Sequence, residues 1–324
     1  LKPSGWTEDD LSHLRSFLDS RRFDLVWAPG IQGSEVNRYN KLPEAQYFQE
    51  VKTLLTTSDR SAYLAQYPFD ISPPDDHHPF FFHFFTWQQA PQVMAALGRT
   101  WQPFGGSGYF ILLALLGLVL ILSLGLILLP LIVSKSIRHA FSGKHGPTAL
   151  AYFAFLGFGF MFIEIPLIQR WILFLGHPIY AFTAVVGTIL LFSGLGSMVA
   201  RGQWSLPASA WVVMVTGAVG LPFLTSVFTE VILDWPWWGR TLAVILALGP
   251  AGFLMGIPFP LGLSRIKSEV PDLAPWAWGV NGFCSVIASV IASLLALSGG
   301  YQVVFLAGLA AYAGAGIAFW MGRT

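Results

Sequence analysis

Few side chains of this 324-residue chain combine reactive chemistry with a setting that would use it. Glu164 stands in the run Phe160-Met161-Phe162-Ile163-Glu164-Ile165-Pro166-Leu167-Ile168-Gln169-Arg170, which is otherwise apolar up to its last two residues. An ionisable group in such a run is costly in lipid and faces a bundle interior or water. Pro166 cannot donate to the carbonyl of Phe162, so the helix is expected to kink or end there, leaving room for Glu164 and Arg170 to pair around the break. One reading is a carboxylate that takes a proton or a ligand. The other, which we expect, is a structural contact with Arg170, Gln169 or Asn281, helped by snorkelling near the span end.

A second candidate is Gly249-Pro250-Ala251-Gly252-Phe253-Leu254-Met255-Gly256-Ile257-Pro258-Phe259-Pro260. Repeated Gly and Pro predict a broken helix at Pro258 and Pro260. With Ile165-Pro166-Leu167 as a partner break, this is the pattern of a transporter site; the alternative is simple span termination. Asn281, Ser285, Ser289 and Ser293 recur every four residues beside Ala288 and Ala292, a spacing that suits close helix packing, with Asn281 as interhelical glue. Asp75, Asp76, His77, His78 and His83 form the one candidate metal cluster, with carboxylate and imidazole ligands suited to zinc, manganese or iron. The competing reading is a polar turn before an aromatic anchor, Phe80 to Phe85, at a membrane surface.

The elements that must position these groups follow from composition. Hydrophobic residues make up 54% of the chain and charged residues 11%, against about 25% charged in soluble domains; the mean hydropathy is +0.61. Such a balance excludes a soluble enzyme throughout, a disordered chain and a nucleic-acid binder. A single cysteine, Cys284, excludes an intrachain disulfide framework. Neither a G-x-G-x-x-G turn after a strand, nor a P-loop, nor a G-x-S-x-G elbow occurs, so no cofactor-binding residues are assigned.

Charge divides the chain near residue 108. Residues 1–108 hold 12 of the 17 acids, whereas 109–324 hold 5 acids and 9 bases among long apolar runs. The expected fold is mainly α: a polytopic membrane helix bundle of about seven spans, 109–324, with a small N-terminal α/β fragment, 1–108. In the fragment, Thr7 and Asp10 form a capping box before a helix, Phe23–Trp27 reads as a strand, and helices are expected over 44–55 and 58–67. The spans are expected at 109–133, 148–169, 178–200, 208–231, 241–263, 276–297 and 301–320, each near the ~20 residues a crossing needs. Seven spans put Lys135, Arg138, Lys144, Arg201, Arg265, Lys267 and Arg323 on one face and Arg170 and Arg240 on the other. The first face then reads as cytoplasmic and residues 1–108 as extracytoplasmic.

Several stretches resemble the bacterial membrane-bound spermidine-synthase-like proteins. They are Phe158 to Arg170, Leu175-Gly176-His177-Pro178-Ile179-Tyr180-Ala181, Leu191 to Ser197, Gly256 to Leu263 and Pro275 to Gly282. Arg22 to Gly30 and Asp75 to Phe82 resemble the end of that family's methyltransferase-like domain, where the second motif usually reads Asp-Asp-Arg-Pro-Phe and His77-His78 is a departure. The resemblance implies a Rossmann-type domain joined to multi-pass membrane segments in the bacterial cytoplasmic membrane. The chain aligns with the late part of that domain and the C-terminal membrane half. The glycine-rich cofactor loop and the acidic aminopropyl-transfer motif have no match, so no catalytic residue carries over. The expected function is therefore a non-catalytic membrane subunit or scaffold, with lipid and a protein complex or a separate Rossmann portion as partners. The alternatives are the membrane half of a split or truncated aminopropyltransferase or methyltransferase-like enzyme, and a transporter-like module.

Overall fold

The computed structural model describes residues 5–39, 41–75, 78–81, 83–96, 107–129, 146–200, 216–217, 220 and 232–322. Among them the regular structure is helical, and the only β pairing is an isolated bridge between Asp75 and His78. The chain separates into two compact units, Leu1–Pro73 with Phe84–Pro91, and Pro74–His83 with Gln92–Thr324. The segment Pro74–His83 thus packs with the membrane helices, not with the residues that precede it.

In the first unit α1 (Glu8–Arg21) begins at Thr7. Its hydroxyl accepts from the Asp10 amide at 3.2 Å while the Asp10 carboxylate accepts from the Thr7 amide at 3.0 Å, so first-turn donors are satisfied reciprocally. Arg22, in the left-handed region at φ 57°, closes the helix. Helices α2 (Gln46–Thr56) and α3 (Arg60–Gln66) follow, the latter capped by Asp59, which accepts from the Ala62 amide at 2.9 Å. The Tyr63 hydroxyl donates to Glu50 and so ties α3 to α2; that bond pushes the phenol up to about 12. The expected strand at Phe23–Trp27 has no ladder partner among the described residues, so the N-terminal part is helix and loop instead of an α/β fragment. A strand draws its stability from a neighbour, and this fragment offers none. The short α4 (Ala90–Ala96) follows.

Among the described residues the second unit holds five helices long and apolar enough to cross a bilayer, Gly108–Leu126, Gly146–Leu175, Pro178–Val199, Trp237–Glu269 and Pro271–Met321. The expected span at 208–231 lies outside the described residues, apart from 216–217 and 220. The helices are α5 (Ser107–Ser123, continued by a π turn, Leu124–Leu128), α6 (Gly146–Leu175), α7 (Pro178–Val199), α8 (Trp237–Met255), α9 (Pro258–Glu269) and α10 (Ala274–Met321). All but α9, whose second half carries Ser264, Arg265, Lys267, Ser268 and Glu269, are apolar around most of their circumference, the pattern of a helix whose outer face meets hydrocarbon. The core forms along α6, where Phe153, Ile163 and Leu167 are fully buried against α7, α8 and α10.

Helix α10 folds back on itself. Its first half runs in the same direction as α6: Asn281, Cys284 and Ser285 lie against Gly157, and Ala288 and Ala292 join Phe162. Its second half runs the opposite way, with Gly308 against Phe162 and Ile163, Tyr312 against Gly159 and Gly314 against Phe155. The turn is at Gly300, φ 78° and ψ 171°, a backbone region essentially closed to residues with a Cβ. Kept straight, a helix of this length would reach roughly 75 Å, more than twice the ~30 Å hydrocarbon core.

Candidate functional site

Glu164 lies on α6 and is 8% exposed. Among the described residues no hydrogen bond or ion pair joins it to Arg170, Gln169 or Asn281, so the expected pairing does not form. It interacts electrostatically with the buried Tyr312 of α10. The helix does not end at Pro166: α6 continues through it to Leu175, with the ring fully buried. Arg170 lies six positions beyond Glu164 along unbroken helix, and such a spacing turns the two side chains to different faces.

The second predicted break is real and is built by glycine. Helix α8 ends at Met255, Gly256 caps it and α9 starts at Pro258, where a missing N–H costs nothing. A Cβ at Gly256 would collide with the Ser193 backbone of α7, and one at Gly196 with the Phe253 carbonyl. The break therefore sits where α7 and α8 approach at backbone distance, as small residues allow between membrane helices. Pro260 follows in the first turn of α9, while Pro250 lies inside α8.

Beside this break, α6, α7, α9 and α10 enclose a cleft of about 910 Å³, within the ~300–1,000 Å³ range of ligand pockets. Its walls include Leu156, Phe160, Leu190, Phe259 and Leu263, and its one charged lining residue is Lys267. The serine hydroxyls in it are spent on nearby carbonyls: Ser193 on Leu190 at 3.1 Å, Ser197 on Gly194 at 2.7 Å, Ser264 on Leu261 at 2.9 Å and Ser285 on Asn281 at 2.9 Å. Asn281 donates from Nδ2 to the Phe153 carbonyl at 3.1 Å, joining α10 to α6.

The same device recurs at the ends of the helices. Tyr152 donates to the Pro258 carbonyl at 2.6 Å, and Arg240 to the Phe174 carbonyl at 2.9 Å. Arg265 donates to the carbonyls of Phe319, at 3.1 Å, and Gly322, and its Nε to Glu269 at 2.9 Å. A guanidinium at the last turn of a helix supplies donors to carbonyls that the helix leaves unpaired and opposes the negative end of its dipole. Sequence reading counted Arg240 and Arg265 for topology alone and did not single out Tyr152; the Arg265–Glu269 spacing of four was the one local signal.

No known family, curated protein or solved structure matches this chain.

At the opposite end of α10 lies what remains of the candidate metal cluster. Asp76 and His77 are outside the described residues. His78 donates from Nε2 to the Leu297 carbonyl at 2.8 Å, three residues before the Gly300 turn, and its own amide donates to Asp75 Oδ1 at 2.7 Å. The His78 and His83 rings are 6.3 Å apart; Phe80 packs on Tyr301 and His83 on Tyr109. Tyr109 in turn shares a 2.7 Å hydrogen bond with Ser298. Among the described residues no three His, Cys, Asp or Glu side chains converge to hold a metal ion. This segment caps the α10 turn, whose carbonyls lose helical donors at the break.

Proposed function

We propose that this chain is a spermidine-synthase-like protein of the bacterial cytoplasmic membrane that serves as a non-catalytic membrane subunit, holding a Rossmann-type portion instead of performing transfer chemistry itself. The observation that carries this reading is Phe23–Trp27. Its residue types favour a strand, it has no ladder partner among the described residues, and Phe23, Val26 and Trp27 are each more than a third exposed. Beyond Phe23, whose amide donates to the Leu18 carbonyl at 3.0 Å, this β-prone segment has no ladder among the described residues and offers a template for another sheet's edge. The polar side chains of the bundle support the same reading, since Asn281, Tyr152, Arg240, Arg265 and His78 all donate to main-chain carbonyls of other segments.

Seven crossings belong to this proposal. They are α5, α6, α7, 208–231, α8 with the start of α9, and the two halves of α10. With seven crossings, the chain before α5 and the loop carrying Arg265 and Lys267 would fall on opposite membrane faces, and the more basic face reads as cytoplasmic. A Rossmann-type portion on the other face would have no access to cytoplasmic S-adenosylmethionine, which fits binding better than transfer.

Calorimetry on the purified chain separates this reading from the aminopropyltransferase or methyltransferase alternative. S-adenosylmethionine and its decarboxylated form are expected to give no saturable heat. Saturable micromolar binding by the chain alone would overturn the proposal.

A further inference from the structure

Beyond that reading, we infer that the cleft between α6, α7, α9 and α10 binds a single acyl chain ending in an anionic head group, with Lys267 holding the head. Three observations select this occupant. The walls are apolar, formed by Leu156, Phe160, Leu190, Phe259 and Leu263. The four serine hydroxyls that line it already donate to nearby carbonyls, and the Asn281 amide donates to Phe153, so these groups offer a polar solute little hydrogen-bond donation. The charged donor of the lining is the Lys267 ammonium, which has no ion pair among the described residues.

The dimensions agree. From Lys267 inward to Phe259 the cleft follows α9 for two turns, ~12 Å, close to one leaflet of a ~30 Å hydrocarbon core. Lys267 lies at the end of the bundle that also holds Arg265 and the last turn of α10. That is the depth at which a lipid head group sits when its chain lies alongside the helices, and a Lys stem can extend its ammonium to it. An apolar solute alone would leave the ammonium unused, and a cationic one would be repelled by it.

The test uses the full chain in lipid nanodiscs. A fluorescent fatty-acid probe is displaced by palmitate, by a single-chain phosphatidylglycerol, or by a single-chain quaternary ammonium of equal length. Saturable displacement by either anion is expected, and whichever competes better tells whether a free carboxylate or a phosphate head is preferred. Lys267→Gln is expected to weaken anion binding about tenfold, the loss of one charge-assisted hydrogen bond. Gly194→Trp fills the cleft from a lining position where an added Cβ meets nothing within 4 Å, so it should fold and abolish binding. The inference fails if neither anion displaces the probe, if the ammonium competes equally well, or if Gly194→Trp binds like the parent. None of these outcomes bears on partner binding at Phe23–Trp27.

Discussion

Asn281 donates to the carbonyl of Phe153 from a helix 128 residues away, and its own carbonyl lies where a Cβ on Gly157 would have to go, 2.5 Å off. The hydrogen bond and the missing side chain are two parts of one contact between α6 and α10. Interhelical hydrogen bonds in membranes contribute about 0.6 kcal/mol on average, whereas a clash with backbone forces helices apart. Gly157→Ala is therefore expected to destabilise the bundle more than Asn281→Ala, by about 1–3 kcal/mol against roughly 0.5–1.5. Unfolding in mixed micelles gives both values; a larger loss for Asn281→Ala would mean that the hydrogen bond and not the close approach holds the pair.

Gly300 offers a sharper backbone test. At φ 78° and ψ 171° a Cβ is strained whatever space surrounds it, so Gly300→Ala should cost about 1–3 kcal/mol. Gly282, in the same helix with nothing within 4 Å of an added Cβ, should accept Ala without loss. Equal effects of the two substitutions would mean that the turn at Gly300 is not fixed by its backbone conformation.

Glu164 carries a carboxyl into the bundle without a hydrogen-bond partner among the described residues. In its neutral form such a group costs about 1–3 kcal/mol to bury without a hydrogen bond on the protein mutational scale, so Glu164→Leu should raise the melting temperature and Glu164→Gln should leave the fold intact. A drop in stability for Glu164→Leu would show that a donor reaches the carboxyl.

The first unit has a pH dependence of known sign. The Arg15 guanidinium, 2.6 Å from Glu35, holds that carboxyl below its ordinary value of 4.5. The folded state therefore binds this proton less readily than the unfolded one. The stabilisation is complete above 4.5 and is lost as pH falls through the lowered folded value. Hydrogen exchange over residues 8–35 in the full chain should accelerate across that window, and less steeply in Glu35→Gln.

Much of this architecture was legible in the sequence because lipid imposes it. Runs such as 109–126 and 178–199 read as helices from composition alone, and the Gly256–Pro258 break from its residues. The fold-back of α10 was legible as two apolar runs flanking Ser298-Gly299-Gly300. What could not be read depends on tertiary neighbours. Phe23–Trp27 has strand-forming residues but lacks a second strand, and Glu164 has a plausible partner in Arg170 on the wrong face of an unbroken helix. The cleft also escaped notice, because its lining comes from four separate helices and its hydroxyls look like packing residues, which in part they are.

The central claim is that Phe23–Trp27 waits for a sheet. Hydrogen exchange of the Leu25, Val26 and Trp27 amides in the full chain, with and without the Rossmann domain of a bacterial spermidine-synthase-like protein, tests it most directly. Fast exchange in the chain alone and slow exchange in the mixture is the predicted result, with protection lost in Val26→Pro, which removes a ladder donor. Exchange that is unchanged by the domain, or already slow without it, would contradict the account.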